Sequence, residues 1–115
     1  IWGNIFATFS MLPFRIKICG LTDPANVRPT VEAGAQALGL NFYPQSKRYL
    51  NPAQAKLVAQ AIPAELVRVG VFVNPSLEEV LALVEACRLD YVQLHGDETP
   101  DFMLQLQQHF MKLAN

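Results

Sequence analysis

The sequence predicts an α/β fold in which four parallel strands alternate with four helices, a (βα)4 unit. Two observations support it. Four strand-like segments each run through a loop into a helix-like segment, and this alternation is typical of parallel βαβ units with right-handed crossovers. A polar residue followed by proline, a pair suited to a helix start, also recurs about every 25 residues, the length of a repeated supersecondary unit. These pairs are Asp23-Pro24, Asn51-Pro52, Asn74-Pro75 and Thr99-Pro100.

The predicted strands differ in their periodicity. In the first, Phe14, Ile16 and Ile18 alternate with polar or small residues, which is the period of a strand. The second and third are largely apolar, as expected for strands that helices cover. Cys19 closes the first strand and so lies at the carboxyl edge, where parallel α/β folds place their catalytic residues. The predicted strands are residues 14–19, 37–42, 66–73 and 91–95.

Apolar residues recur at helical spacing after each strand, and these stripes predict contacts with the core. In the first helix, Pro29 is expected to cause a kink and Gly34 to end the helix as its C′ residue. Ser76 and Glu79 have the spacing of a capping box at the start of the third helix. The stripes are Val27 and Val31; Ala55, Val58, Ala59 and Ile62; Leu77, Val80, Leu81 and Val84; and Phe102, Met103, Leu106 and Phe110.

The composition argues against several classes of protein. Nine Lys and Arg against ten Asp and Glu leave the chain near neutral, without the basic stripe typical of proteins that bind nucleic acid. No apolar run approaches the roughly 18 residues that span a membrane. Cys19 and Cys87 do not have metal-ligand spacing, and no metal site is predicted. We expect both to be reduced thiols, as in a cytoplasmic protein.

The first residues of the chain say little about its fold. Residues 1–10 are apolar or aromatic and uncharged, and they lack the basic start and cleavage pattern of a signal peptide. We therefore expect residues 1–13 to be an extension or upstream segment that is poorly ordered. Met11 is a candidate for the natural start.

Four motifs, each at the end of a predicted strand, carry a resemblance to a known family. They are Lys17-Ile18-Cys19-Gly20-Leu21-Thr22; Gly39-Leu40-Asn41-Phe42-Tyr43 with Ser46-Lys47-Arg48-Tyr49; Val69-Gly70-Val71-Phe72-Val73-Asn74; and Val92-Gln93-Leu94-His95-Gly96-Asp97-Glu98. In this order they resemble phosphoribosylanthranilate isomerase, an enzyme of tryptophan biosynthesis. That family is a TIM (βα)8 barrel of about 200 residues, the lower limit for the fold. The resemblance implies that residues 14–115 are a partial barrel domain, the N-terminal half.

The resemblance also implies a reaction. It is the Amadori rearrangement of N-(5-phosphoribosyl)anthranilate to 1-(2-carboxyphenylamino)-1-deoxyribulose 5-phosphate, which needs an acid and a base and no metal or redox cofactor. Cys19 matches the general base of the family. A thiol that acts as a base near neutral pH needs a lowered pKa. Lys17, two residues back on the same face of the strand, is expected to favour the thiolate.

Three further residues are expected to contact the phosphosugar substrate. Arg48 matches a substrate-contacting arginine of the family on the second βα loop, and its guanidinium suits the anthranilate carboxylate. Gln93 and His95 are expected on one face of the fourth strand, pointing into the barrel. From the residues alone, Arg48 could equally be a solvated loop charge, and His95 a packed, hydrogen-bonded histidine. The acidic pair before Thr99-Pro100 is interpreted as favourable charge at a helix N-terminus.

The resemblance also indicates what these residues lack. The family's general acid lies on the fifth strand and its phosphate site on later loops, so little or no activity is expected from this chain alone. Four strands would leave two open edges and an apolar concave face. We therefore expect association with a C-terminal half-barrel or self-association. Two alternatives stay open: a non-catalytic half-barrel assembly module, and another phosphosugar TIM-barrel enzyme.

Overall fold

The computed structural model describes residues 5–6 and 16–114. Its centre is a five-stranded sheet with the strand order β1-β5-β4-β3-β2. Strands β2 to β5 are parallel neighbours in sequence order, and β1 runs antiparallel to β5. This confirms the predicted parallel four-stranded α/β sheet and adds one short strand to it. The strands are β1 (Ile5–Phe6), β2 (Lys17–Cys19), β3 (Ala37–Asn41), β4 (Val67–Phe72) and β5 (Tyr91–Leu94).

A helix follows each parallel strand, as the sequence predicts. The helices are a 3-10 turn (Pro24–Asn26) that runs into α1 (Val27–Glu32), then α2 (Pro52–Ala61), α3 (Leu77–Cys87) and α4 (Pro100–Ala114). The first parallel strand begins at Lys17, later than predicted; Phe14 lies outside the described residues, as do Met11 and the other residues of 1–13 apart from β1. The predicted core contact of the Phe110 side chain also lies outside them.

The first helical segment has a mixed start, with Pro29 inside its α-helical part, and the kink expected at Pro29 stays a prediction. Asp23 caps the segment by accepting the Ala25 N–H at 2.9 Å, but the first turn is a 3-10 turn and the α-helix begins only at Val27. Proline has no N–H, so Pro29 cannot donate to Ala25 O as an α-helix through this turn would require. The helix ends as predicted, because Gly34 has a φ of +109° directly after the C-cap residue.

The start of α3 corrects one of the predicted caps. Ser76, not Asn74, is the N-cap residue, and its Oγ accepts the Glu79 N–H at 3.1 Å. Asn74 instead has a left-handed backbone with a φ of +46° and uses its polar groups in the loop that follows β5. A full capping box occurs at α2, between Asn51 and Gln54.

The helices cover one side of the sheet with an apolar core. Strand residues such as Leu38, Leu40 and Leu94 are fully buried against them. The rings of Phe42 and Phe72 stack with centroids 4.9 Å apart. Gly70 leaves the space that this stack needs, since a Cβ there would lie 2.9 Å from Phe72 Cε2. We call this covered side the helix face.

The other side of the sheet is concave. Lys17 on β2 aligns through Ala37 with Val67, whereas Gln93 on β5 aligns with Val71, four residues farther along β4. In a flat sheet the Cα atoms of Lys17 and Gln93 would be about 14 Å apart across the strands and about 13 Å apart along them. Their side chains nevertheless share a hydrogen bond. The sheet therefore curls towards this side, which we call the concave face.

The two edges of the sheet differ. Ile5 aligns with Leu94 and Phe6 with Gln93, so β1 covers part of the β5 edge that the sequence predicts to be open. No strand among the described residues covers β2. There Ile16 and Ile18 are 50% and 39% exposed, because the described helices do not extend over this edge. None of the described helices has the length and apolar character needed to cross a membrane.

Candidate active site

Cys19 is the last residue of β2 and lies at the carboxyl edge of the parallel sheet. It aligns with Gly39 on β3, and a Cβ at Gly39 would lie 2.8 Å from Cys19 Sγ. The missing side chain at Gly39 therefore gives the thiol room to lie on the concave face, against the neighbouring strand. Cys19 is only partly buried.

Arg48 lies on the loop of residues 42–51, which joins β3 to α2. Its backbone N–H donates to Ser46 Oγ at 3.1 Å, which fixes the turn before it. Its side chain packs against Gly20, where a Cβ would lie 3.0 Å from Arg48 Nε and 3.0 Å from Nη1. Gly20 has a φ of +94° and directly follows Cys19. The fold thus places the Arg48 guanidinium beside the residue that follows Cys19.

Lys17 and Gln93 meet below this edge. Lys17 Nζ donates to Gln93 Oε1, and Gln93 is only 3% exposed. Burial lowers the pKa of Lys17 below its ordinary value of 10.5, and the nearby Cys19 opposes that shift electrostatically. The predicted support of the Cys19 thiolate by Lys17 stays a prediction. Gln93 uses its carbonyl oxygen for Lys17, so its predicted contact with substrate stays a prediction.

His95 lies one residue beyond β5 and is exposed. Its backbone N–H continues the sheet by donating to Phe72 O at 2.8 Å. It borders an open cleft of about 380 Å³ at the carboxyl edge, a volume in the range of small-molecule sites. The cleft is lined by Asn41, Tyr43, Ser46, Val71, Val73 and His95. Tyr43 and Asn41 belong to a motif noted in the sequence, but their place in this cleft was not predicted.

The sequence-based prediction of an apolar concave face is wrong, because this face also carries polar side chains. The side chains there include the Lys17 ammonium and the Gln93 amide as well as valines. One signal for the site is present in the sequence, namely a glycine inside a strand, which often marks the close approach of another group. Gly39 has this role towards Cys19.

A larger cleft of about 760 Å³ lies between α2 and α3, on the opposite side of the sheet. Its most buried cation, Arg68, starts from the amino-terminal part of β4 and donates to the Ala59 and Ile62 carbonyls. Arg68 therefore anchors the end of α2. Within the part of the chain that the structure describes, no three His, Cys, Asp or Glu residues are grouped so that they could hold a metal ion.

The sequence profile of N-(5'-phosphoribosyl)anthranilate isomerase matches residues 16–114, nearly the whole described chain. The chain belongs to this isomerase family. Among curated proteins, the N-(5'-phosphoribosyl)anthranilate isomerase of Trichlorobacter lovleyi is 45% identical over 98 residues, which are 85% of this chain and 48% of that protein. The isomerase of Syntrophus aciditrophicus is 49% identical over 87 residues, 76% of this chain and 38% of that protein.

Solved structures of the isomerase family agree with the fold. A phosphoribosyl anthranilate isomerase in complex with reduced 1-(o-carboxyphenylamino)-1-deoxyribulose 5-phosphate matches with a TM-score of 0.79 and 40% identity, over 84% of this chain and 50% of that chain. The enzyme from Thermotoga maritima matches with a TM-score of 0.78, also at 40% identity, over 83% and 46% of the two chains. The chain thus spans half or less of the length of the relatives it matches.

Proposed function

We propose that this chain supplies the first four strands and helices of a TIM-barrel phosphoribosylanthranilate isomerase of tryptophan biosynthesis, and that it works together with a C-terminal half-barrel. The observation that carries the proposal is the placement of two groups at the end of β2: the Cys19 thiol lies beside Gly39, and Arg48 packs against Gly20, the next residue along the chain. The family membership and the lengths of the relatives support it. The product-like compound bound to one relative indicates the substrate class.

In this proposal Cys19 is the general base. An acid protonates the furanose ring oxygen of the substrate, the C1–O bond breaks, and the nitrogen lone pair forms a Schiff base. The Cys19 thiolate then takes the proton from C2, and the electron pair of that bond moves towards the nitrogen to give an enolamine. Tautomerisation to the ketone completes the isomerisation without net oxidation. In this proposal Lys17 is the group that supports the thiolate by its charge, since it lies two residues before Cys19 on the same face of β2.

Arg48 binds the anthranilate carboxylate in this proposal. A guanidinium offers two parallel N–H donors to a carboxylate, which a single ammonium cannot do. Replacement of Arg48 by Gln is expected to raise KM about tenfold or more and to change kcat less, because a contact present in both ground and transition state is lost. Lys47→Gln is the matched control, since Lys47 is its exposed neighbour in the loop.

The remaining groups would come from the C-terminal half. The family's acid and phosphate site belong to strands and loops beyond the fourth helix, and the chain is therefore expected to have little activity alone. Ile16 and Ile18 at the uncovered β2 edge support an association, because an exposed apolar strand edge is a pairing surface. A dimeric relative from Thermotoga maritima makes self-association a further form that this proposal allows.

A mixing experiment tests the proposal. This chain is combined with a separately produced C-terminal half of a family member, and the loss of anthranilate fluorescence is followed on addition of substrate. Activity is expected with the wild type and should fall roughly 100-fold or more with Cys19→Ser, the typical loss for a general base. Cys87→Ser is the control: Cys87 is buried in α3, where a serine hydroxyl can bond to the backbone carbonyl one turn back.

Two results would count against the proposal. If the halves associate, as judged by sedimentation, but no turnover appears, the chain is better described as a non-catalytic assembly module. If turnover appears and Cys19→Ser retains it, the base assignment is wrong although the family reaction stands.

A further inference from the structure

The loop between β5 and α4 is held by three side-chain-to-backbone hydrogen bonds. Asn74 Oδ1 accepts the Asp97 N–H at 2.8 Å, and the two carboxylate oxygens of Glu98 accept the Gly96 N–H at 2.9 Å and the Asn74 N–H at 2.7 Å. We call these four residues, Asn74, Gly96, Asp97 and Glu98, the Glu98 clamp. It joins the loop after β4 to the loop after β5 at the carboxyl edge of the sheet.

The Glu98 clamp acts on the backbone on both sides of His95. The peptide group before His95 is fixed by its N–H bond to Phe72 O at 2.8 Å, and the peptide group after it carries the Gly96 N–H that Glu98 accepts. With both flanking peptide planes fixed, φ and ψ of His95 are fixed, and so is the direction of its Cα–Cβ bond. The Asp97 N–H holds the next plane through Asn74.

The clamp packs closely around Gly96 and leaves no room for a side chain there. A Cβ at Gly96 would lie 2.7 Å from Asn74 Oδ1 and 3.0 Å from Glu98 Oε2. Asn74 itself has a φ of +46°, a conformation that Asn tolerates better than most residues. The bonds from N–H groups to a carboxylate are charge-assisted and stronger than those between neutral groups.

We infer that Glu98 is a positioning residue for His95: its carboxylate holds the backbone so that the His95 side chain leaves it in the direction of the cleft and the substrate. This inference rests on the proposed function for the identity of the substrate. It does not depend on that function for the contact itself. It replaces the interpretation of Glu98 as a general helix-terminus charge with a specific one, since each of its oxygens accepts a defined N–H.

The first test needs no activity. Glu98→Gln replaces one acceptor oxygen by an NH2 group, so one of the two N–H groups loses its partner. Amide exchange at Gly96 or Asn74 is expected to become on the order of tenfold faster or more, and the ring signal of His95 in NMR spectra is expected to shift. The chain has one other histidine, His109 on α4. It is the internal control: it makes none of the hydrogen bonds of the Glu98 clamp, so the chemical shift of its ring is expected to stay the same.

Three comparisons make this test selective. Glu79→Gln, an exposed glutamate in the first turn of α3, should change neither the exchange rates nor His95. Asn74→Gly keeps the backbone N–H and tolerates a positive φ but removes Oδ1, so only the Asp97 amide should exchange faster. An unchanged His95 signal despite faster exchange at Gly96 would overturn the inference, and unchanged exchange rates would show that the clamp itself does not exist.

A second test uses the combined halves of the proposed enzyme. Glu98→Gln is expected to lower kcat/KM about tenfold in the wild-type background and less than about twofold in a His95→Ala background, because a residue that acts through His95 has no effect without it. Equal losses in both backgrounds would contradict the inference. If the wild-type halves show no turnover, the proposed function fails, while the NMR comparison still decides on the clamp.

Discussion

The two faces of the sheet consist of alternate residues of the same strands, yet they differ in chemistry. On the helix face, Leu40 and Leu94 are fully buried and Phe72 stacks on Phe42. On the concave face, Lys17 and Gln93 form a polar pair below the Cys19 thiol.

The difference shows how one set of strands serves two purposes. Because side chains alternate along a strand, the face that supplies most of the stability and the face that carries the chemistry are specified by interleaved positions. Each face also has its own glycine. Gly70 gives space to aromatic rings on the helix face, and Gly39 gives space to a thiol on the concave face. Substitutions on the two faces should therefore separate effects on stability from effects on reactivity.

The largest effect on stability is expected from Phe72→Ala on the helix face. The ring is fully buried and stacked, and its loss should lower the free energy of unfolding by about 3–5 kcal/mol through lost burial and a cavity. Urea denaturation followed by circular dichroism measures this. Leu57→Ala, at a residue 58% exposed on α2, serves as the control and should have an effect within about 0.5 kcal/mol. A small effect of Phe72→Ala would mean that the helix face is less tightly packed than described.

A smaller decrease in the free energy of unfolding is expected from Gly70→Ala. The new methyl group would lie 2.5 Å from Leu89 Cδ1 and 2.9 Å from Phe72 Cε2, and overpacking of this kind typically lowers stability by about 1–3 kcal/mol. The same denaturation curves report it. The reactivity of Cys19 towards iodoacetamide should not change, because Gly70 lies on the opposite face; altered alkylation would contradict the separation of the two faces.

Gly39→Ala is the matching change on the concave face. The methyl group would lie 2.8 Å from Cys19 Sγ and 3.1 Å from Cys19 Cβ, so the Cys19 side chain must shift, and a χ angle about 30° off its rotamer costs about 0.5–1.5 kcal/mol. We expect a modest loss of stability together with a clear change in the rate of Cys19 alkylation, followed by mass spectrometry. Cys87, buried in α3, provides the internal reference. Unchanged alkylation of Cys19 would show that Gly39 does not set its position.

The smallest effect concerns the pH dependence of stability. Burial lowers the pKa of Lys17 in the folded chain below its ordinary 10.5, so between these two values the unfolded chain binds more protons. The contribution of Lys17 to the free energy of unfolding therefore rises with pH in that window and levels off above 10.5. Lys17→Met removes this rise. The difference between wild type and variant, measured by urea denaturation at several alkaline pH values, should grow with pH; a constant difference would contradict the burial of the ammonium.

The order and type of the parallel strands and helices could be predicted from the sequence because each has a local signal. Contacts between distant residues have no such signal. The Lys17–Gln93 bond depends on the curvature of the whole sheet, and the role of Asn74 depends on Glu98, 24 positions further on. Asn74-Pro75 is therefore indistinguishable in sequence from the pairs that do cap helices. Likewise, His95 was predicted within a strand, but β5 ends one residue earlier, at Leu94, and His95 keeps only a backbone bond to Phe72.

The short strand β1 has a consequence for the time course of folding. The parallel pairs join residues that are near in sequence, such as Cys19 with Gly39 and Val69 with Tyr91. The β1–β5 pair instead joins Ile5 to Leu94, the most remote pairing in the sheet, through two residues only. Closing so long a loop costs more chain entropy than closing the short ones, and the contacts of two residue pairs offset little of this cost. The pair should thus form after the βα units have assembled, and it should be the first part of the sheet to separate when the protein unfolds.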